Sequence, residues 1–209
     1  MDSVQAPQMH DLECIACDKG GNIYGVTTTN SSSSASIAVY EAGHDVLTLG
    51  QIHSSSRVSE VVEPKVSTLI HTNPPLAFSV QGSSASDSGK YLAVYGYDGE
   101  EDRSVIVIVD LSGSGALAAS SNGQGIRSKQ CTAHEVDYQL FASRPGLIIQ
   151  QVSWHPHSPA HLVVLTSDSR LRLYNLADLT VAEQTFHLQL GRSGGVAAAT
   201  AGYGLSSAM

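Results

Sequence analysis

The sequence predicts an all-β fold, and three observations carry that expectation. Strand-like runs bounded by Gly, Ser, Asp and Pro dominate the chain, while helical periodicity is almost absent. Charged residues are only 14% of the total, too few Glu, Lys and Arg to coat helix surfaces. A strand–turn–strand pattern also recurs three times. Apolar residues at 42% of 209 are enough to build a core, so the composition is not that of a disordered tail.

Each element follows in chain order. The first unit sets Asn22 to Thr28 (NIYGVTT) against Ser36 to Glu41 (SIAVYE), joined by the polar tract Thr29 to Ala35. Val46 to His53 and Lys65 to His71 read as weaker strands. Asn73-Pro74-Pro75 then breaks the run, because consecutive prolines cannot donate to a sheet ladder. The second unit opens on the turn Ser86-Asp87-Ser88-Gly89. Tyr91 to Tyr97 and Ser104 to Leu111 are its strands, with an acidic turn from Asp98 to Asp102 between them. Ser112 to Gly125 is low in complexity and reads as a mobile loop. The third unit runs from Gly146 to Pro156 (GLIIQQVSWHP), through His161 to Ser167, to Ser169 to Leu176. In its last strand Leu171 and Leu173 alternate with Arg170 and Arg172, giving one buried and one wetter face. Thr185 to Leu190 reads as one more strand, and Gly191 to Met209 is a Gly/Ala-rich tail without a pattern.

Taking Glu41, Asp110 and Asn175 as equivalent positions, the units repeat at intervals of 69 (110 − 41) and 65 (175 − 110) residues. A plain β-propeller blade takes ~40–45 residues, so roughly twenty per unit remain for insertions such as the Ser/Gly tracts. The pattern is therefore that of a partial β-propeller with WD40-like blades, about three of them, carrying long Ser/Gly-rich loops. Its expected bounds are residues 1–190, with 191–209 as a flexible tail or a truncated next blade. Trp154 is expected to anchor its blade, and Pro156, Asp168 and Tyr174 mark structural positions of the third unit.

The net charge of −8 disfavours direct nucleic-acid binding, and Lys and Arg form no basic patch. The N-terminus is polar and acidic, unlike a signal peptide, and the aliphatic run Val105 to Val109 is far short of the ~20 residues that span a bilayer. Three cysteines, an odd number, fit a reducing compartment, so a soluble intracellular protein is expected. Cys14, Cys17, Cys131 and His134 are candidate zinc ligands by residue type. The two pairs lie more than a hundred residues apart, and residues three apart on a strand point to opposite faces, so no metal and no cofactor is expected. The turn histidines His155, His157 and His161 read as solvated or capping side chains. No nucleophile elbow, phosphate loop or dinucleotide fingerprint appears, so an enzyme is not expected. Asp98, Glu100, Glu101 and Asp102 form a solvated hairpin turn, or a contact for a basic partner.

Residues Thr72 to Leu111 and Leu140 to Leu176 resemble successive blades in the propeller of the eighty-eight-kilodalton nucleoporin family. The likeness rests on the Asn-Pro-Pro-Leu segment at Asn73 to Leu76 and on Val163-Val164-Leu165-Thr166-Ser167-Asp168. That family carries a full propeller, believed seven-bladed, followed by a coiled coil. With about three units and no heptads, this chain reads as a truncated member. The resemblance implies a structural role at the cytoplasmic face of the nuclear pore. It further implies partners among other nucleoporins, the Phe-Gly nucleoporins included, and a part in export of proteins, messenger RNA and ribosomal subunits. A generic WD-type scaffold of another assembly, and a zinc-binding or enzymatic propeller, are the alternatives.

Overall fold

The computed structural model describes residues 12–28, 35–41, 65–113, 118–119 and 127–188. The expected strand Val46 to His53 and the tail from Gly191 lie outside the described residues.

The first sheet unit is an antiparallel meander of β1 (Cys14–Cys17), β2 (Asn22–Thr28), β3 (Ala35–Glu41) and β4 (Lys65–Asn73). The second contains β5 (Ser79–Ala85), β6 (Tyr91–Asp98) and β7 (Arg103–Asp110). After a two-residue strand β8 (Ala118–Ala119), it is completed by β9 (Arg127–Glu135), antiparallel to β7. A single helical turn and a half, α1 (Tyr138–Ser143), leads to the third unit. That unit is a four-stranded meander of β10 (Ile149–Trp154), β11 (His161–Thr166), β12 (Arg170–Asn175) and β13 (Gln184–His187). Glu41, Asp110 and Asn175 end β3, β7 and β12, the third strand of each unit, which is why they recur at similar spacing.

Three particulars differ from the sequence reading. The tract Ser112 to Gly125 contains β8, which pairs with the start of β9, so it is not loop throughout. Strand β9 and helix α1 were not expected. The first two units also do not stand apart. Strand β4 runs parallel to β9 from Thr68↔Arg127 to Asn73↔Thr132, merging them into one nine-stranded sheet. The merger ends at Asn73, just before Pro74, which has no N–H to give to a ladder.

The first strands of the units are neighbours: β5 lies beside β1 on one side and β10 on the other. Small antiparallel sheets whose innermost strands meet in this way around an axis form the β-propeller arrangement. Strand alternation then sends side chains into two cores. Leu92, Val94, Val105, Val107 and Val109 face the first unit, where they meet Tyr24, Val26, Ile37 and Ile70. Ala93, Ile106 and Ile108 face the third unit, where they meet Val152, Trp154, Leu162, Val164 and Tyr174. The middle sheet is thus covered on both faces, and β7 is buried at every residue but its last. That is why Val105 to Val109 reads as an unbroken aliphatic run rather than an alternating one. Each such side chain, fully buried, contributes about 1.5–3 kcal/mol of transfer free energy.

Candidate docking surface

The polar side chains are concentrated in the turns that carry the strands, and most of them are engaged there. At the β1–β2 turn, Asp18 accepts hydrogen bonds from the Asn22 backbone N–H (3.0 Å), the Asn22 amide (2.8 Å) and the Tyr24 hydroxyl (2.8 Å). Burial pushes the Asp18 carboxyl up, but the bonds from Asn22 and Tyr24 outweigh it and hold it below the usual carboxylate range. At the β5–β6 turn, Ser86 Oγ accepts from the Tyr91 N–H (3.0 Å). Gly89 takes a positive φ of 65° there, next to the Asp18 carboxylate, so the first two units touch through their turns.

The sequence-identified residues of the third unit fall as follows. Trp154 is 8% exposed, stacks on Tyr91 at 5.9 Å and donates its indole N–H to the Ser84 carbonyl at 2.9 Å. It therefore ties the third sheet to the second with both ring and N–H. Asp168, in the β11–β12 turn, accepts from Arg172 Nη2 (2.7 Å) and from the Thr166 hydroxyl (2.6 Å). Arg144 and Arg170 flank it at 3.5 and 3.7 Å. The Arg172 guanidinium, 3% exposed, holds the Asp168 carboxyl far below the usual range, against the opposing effect of burial. Tyr174, fully buried, donates to Asp137 Oδ2 at 2.8 Å, and burial together with that carboxylate pushes its phenol well above the usual value. Asp137 also caps α1, accepting from the Leu140 N–H (3.2 Å). Pro156 follows Trp154 and His155 in the β10–β11 turn. In that turn His155 Nδ1 accepts from the His157 N–H (3.2 Å), and His161 contacts Ser158 (2.5 Å) and Glu183 (3.1 Å).

The four candidate zinc ligands do not converge. Cys131 is 2% exposed within the core between the first two units and Cys14 packs at its margin, while Cys17 is exposed. His134, three residues beyond Cys131 on β9, is exposed and lines a cleft toward the third sheet. Burial pushes the Cys14 and Cys131 thiols up, away from the thiolate that binds metal or reacts. Among the described residues, no group of three or more His, Cys, Asp or Glu could hold a metal ion.

The acidic turn between β6 and β7 is built rather than loose. Asp98 Oδ1 accepts from the Glu100 N–H (2.9 Å) and the Glu101 N–H (3.2 Å), and Asp102 takes a left-handed φ of 52° and accepts from the Tyr97 hydroxyl. Arg103 is 6% exposed. Its guanidinium meets Glu101 and Glu135 and stands 4.4 Å over the Tyr138 ring. Asp98, Glu101 and Asp102 are therefore engaged within the fold, which leaves Glu100 facing solvent. Glu135 was not singled out in the sequence, where it stands next to His134 in a polar stretch that did not read as a strand. Two clefts open beside this region. One of about 150 Å3 is lined by Leu76, Phe78, Val105, Val107 and Arg103. The other, about 530 Å3, lies between the second and third sheets and is lined by Tyr91, Ile108, Asp110, His134 and Leu179. No helix among the described residues is long and apolar enough to cross a membrane.

Stacked four-stranded sheets with polar turns and open clefts at their rims define an all-β protein of the β-propeller class. Residues 34–202 match the family described as Nup88, nuclear pore component, and the chain belongs to that family. The nuclear pore complex protein NUP88 of Arabidopsis thaliana is 29% identical over 150 residues, which cover 71% of this chain and 16% of the relative. The chain thus corresponds to a small part of that protein's length. Among solved structures it is similar to the β-propeller domain of Cps50 (Swd1) from Myceliophteria thermophila, with a TM-score of 0.48 and 8% identity, over 85% of this chain and 42% of that one. It is also similar to a Lactobacillus plantarum protein, with a TM-score of 0.41 and 12% identity, over 90% of this chain and 45% of that one.

Proposed function

We propose that this chain is a protein-docking scaffold of the nuclear pore complex. It would act at the cytoplasmic face through contacts with other nucleoporins, Phe-Gly nucleoporins among them, and would thereby support export of proteins, messenger RNA and ribosomal subunits. The observation that carries the reading is the family match across residues 34–202, a range that takes in the core between the second and third sheets whole and the first core from Ile37 onward. The engagement of its polar side chains within the fold supports a role in contact rather than catalysis. The buried ionisable groups Asp137, Arg103 and Arg172 each have a partner within the fold: Asp137 caps α1 and accepts from Tyr174, Arg103 ties the β6–β7 turn to β9, and Arg172 holds the β11–β12 turn. The acidic turn at Asp98, Glu100, Glu101 and Asp102 and the clefts on either side of β9 are the proposed contact points. A basic partner segment would find Glu100 there, with apolar walls beside it.

Affinity capture of the tagged chain from cells tests this. Nucleoporins should dominate the recovered proteins, and Glu100→Lys should lower their recovery several-fold while the chain stays folded. Recovery of a different assembly would replace the reading with a generic WD-type scaffold. Stoichiometric zinc in the purified chain would replace it with a metal-binding one.

A further inference from the structure

The larger cleft, between the second and third sheets, is held open by fixed elements. Leu176 to Thr180, in the connection from β12 to β13, line one side of it. Backbone bonds pin that connection twice: the Leu176 N–H donates to the Ala160 carbonyl at 2.8 Å, and the Leu179 carbonyl accepts from the Asp137 N–H at 2.7 Å. Strands β7 and β9 line the other side, and their register sets Ile108 opposite His134. Ile108 is 2% exposed, so with Leu176 and Leu179 it gives the cleft an apolar floor. Its ionisable groups are Asp110, His134 and Glu135. Asp110 commits Oδ1 to the Ser112 N–H and hydroxyl, and Glu135 commits Oε1 to Arg103. The second oxygen of each has no partner among the described residues, and neither Lys nor Arg is among the described residues that line the cleft.

We propose that this cleft takes a Lys or Arg side chain, with an aliphatic neighbour, from a segment of a protein partner. The proposal gives a partner chemistry to one of the two clefts of the docking role above and rests on that role. Charge selects a cation. Two carboxylates with an oxygen to spare, in a chain of net charge −8, draw a cation in and repel an acidic segment. Shape selects a long side chain, whose stem lies on Ile108 and Leu179 while its head reaches Asp110 or Glu135. At about 530 Å3 the cleft falls within the ~300–1,000 Å3 of sites that enclose a small ligand, which leaves room for the neighbour. The adjoining tract of this chain does not supply the cation, because residues 112–126 contain neither Lys nor Arg.

Titration of acetyl-leucyl-arginine amide into the purified full chain, followed by the methyl NMR signals of Ile108 and Leu179, tests this. Half-saturation should fall at about 1–10 mM, with the Ile15 methyl signals on β1 unmoved. The citrulline analogue, similar in shape but uncharged, should bind at least fivefold more weakly. Asp110→Asn keeps an acceptor for Ser112, and Ala177→Phe adds bulk in the cleft from an exposed position. Each should weaken binding at least fivefold with the circular dichroism spectrum unchanged, whereas Asp87→Asn, outside the cleft, should leave it intact. No saturable shift up to about 50 mM would overturn the proposal. So would equal binding of the arginine and citrulline probes, or undiminished binding by a folded Ala177→Phe chain. No cellular partner enters this titration, so its failure leaves the docking role standing, and a capture without nucleoporins leaves the cleft's affinity for arginine standing.

Discussion

Asp168 shows how a single side chain holds a turn of this fold. Its carboxylate balances Arg172, which is almost wholly buried and has no other carboxylate within bonding distance among the described residues. Removing it leaves that charge uncompensated, so Asp168→Ala should lower unfolding free energy by about 3 kcal/mol in a urea titration. The same contact sets a pH dependence. The folded-state pKa of Asp168 is depressed, as is that of Asp18. A depressed carboxylate contributes stability above its unfolded value, ~3.9, and that contribution is lost as pH falls through the folded value. Thermal melts should therefore show stability falling as pH drops below ~4, and the fall should be shallower in Asp168→Asn than in the natural chain. Asp168 was legible in the sequence because it sits in a repeated turn pattern. Its partners were not: Arg144 reaches it from the connection after α1, and that approach exists only in three dimensions.

At the scale of elements, burial decided what could be read. Strands β6, β7 and β11 face cores on one or both sides, so their apolar patterns are strong, whereas in β12 the alternation reads the wrong way: Leu171 and Leu173 are only half-buried, and Arg172 and Tyr174 are the buried side chains. Strand β5 (SVQGSSA) and strand β9 (RSKQCTAHE) are mostly polar, and each is a strand because of what lies beside it. The polar face of β9 and its parallel partnership with β4 give no local signal, since pairing between distant segments leaves none. Helix α1, at six residues, is too short for periodicity to show. One glycine on β6 sets how closely strands can approach: a Cβ at Gly96 would collide with the Ser79 backbone carbonyl. Gly96→Ala should therefore destabilise the chain by about 1–3 kcal/mol, measured as a lower urea midpoint at unchanged slope. By contrast, shortening the tract between Ser112 and Gly125 removes, among the described residues, the β8 pairing at Ala118 and Ala119, while β9 keeps both β4 and β7. That deletion should change the unfolding free energy by no more than about 1 kcal/mol and leave a single cooperative transition. A loss of folding would mean that the tract does more than connect.

The whole molecule is a series of sheets whose repeat was written in the sequence, whereas their joining was not. The repeat of Glu41, Asp110 and Asn175 announced three units, and the unbroken aliphatic run of β7 reflects its place between two cores. The merger of the first two units through β4 and β9 could not be read, because outer strands bury little and their register is set across fifty or more residues. The acidic turn was legible as a charge cluster. That Arg103 neutralises part of it was not, because its second carboxylate, Glu135, arrives from β9. What unifies the molecule is the packing of one unit against the next around a shared axis, and Trp154 reports on it alone. It is the single tryptophan, so its indole N–H gives one resolved NMR signal. If the third sheet packs on the second, that proton exchanges slowly with solvent and shows nuclear Overhauser contacts to Ser84 and the Tyr91 ring. A fast-exchanging indole proton with no contact to either residue would contradict the stacked arrangement.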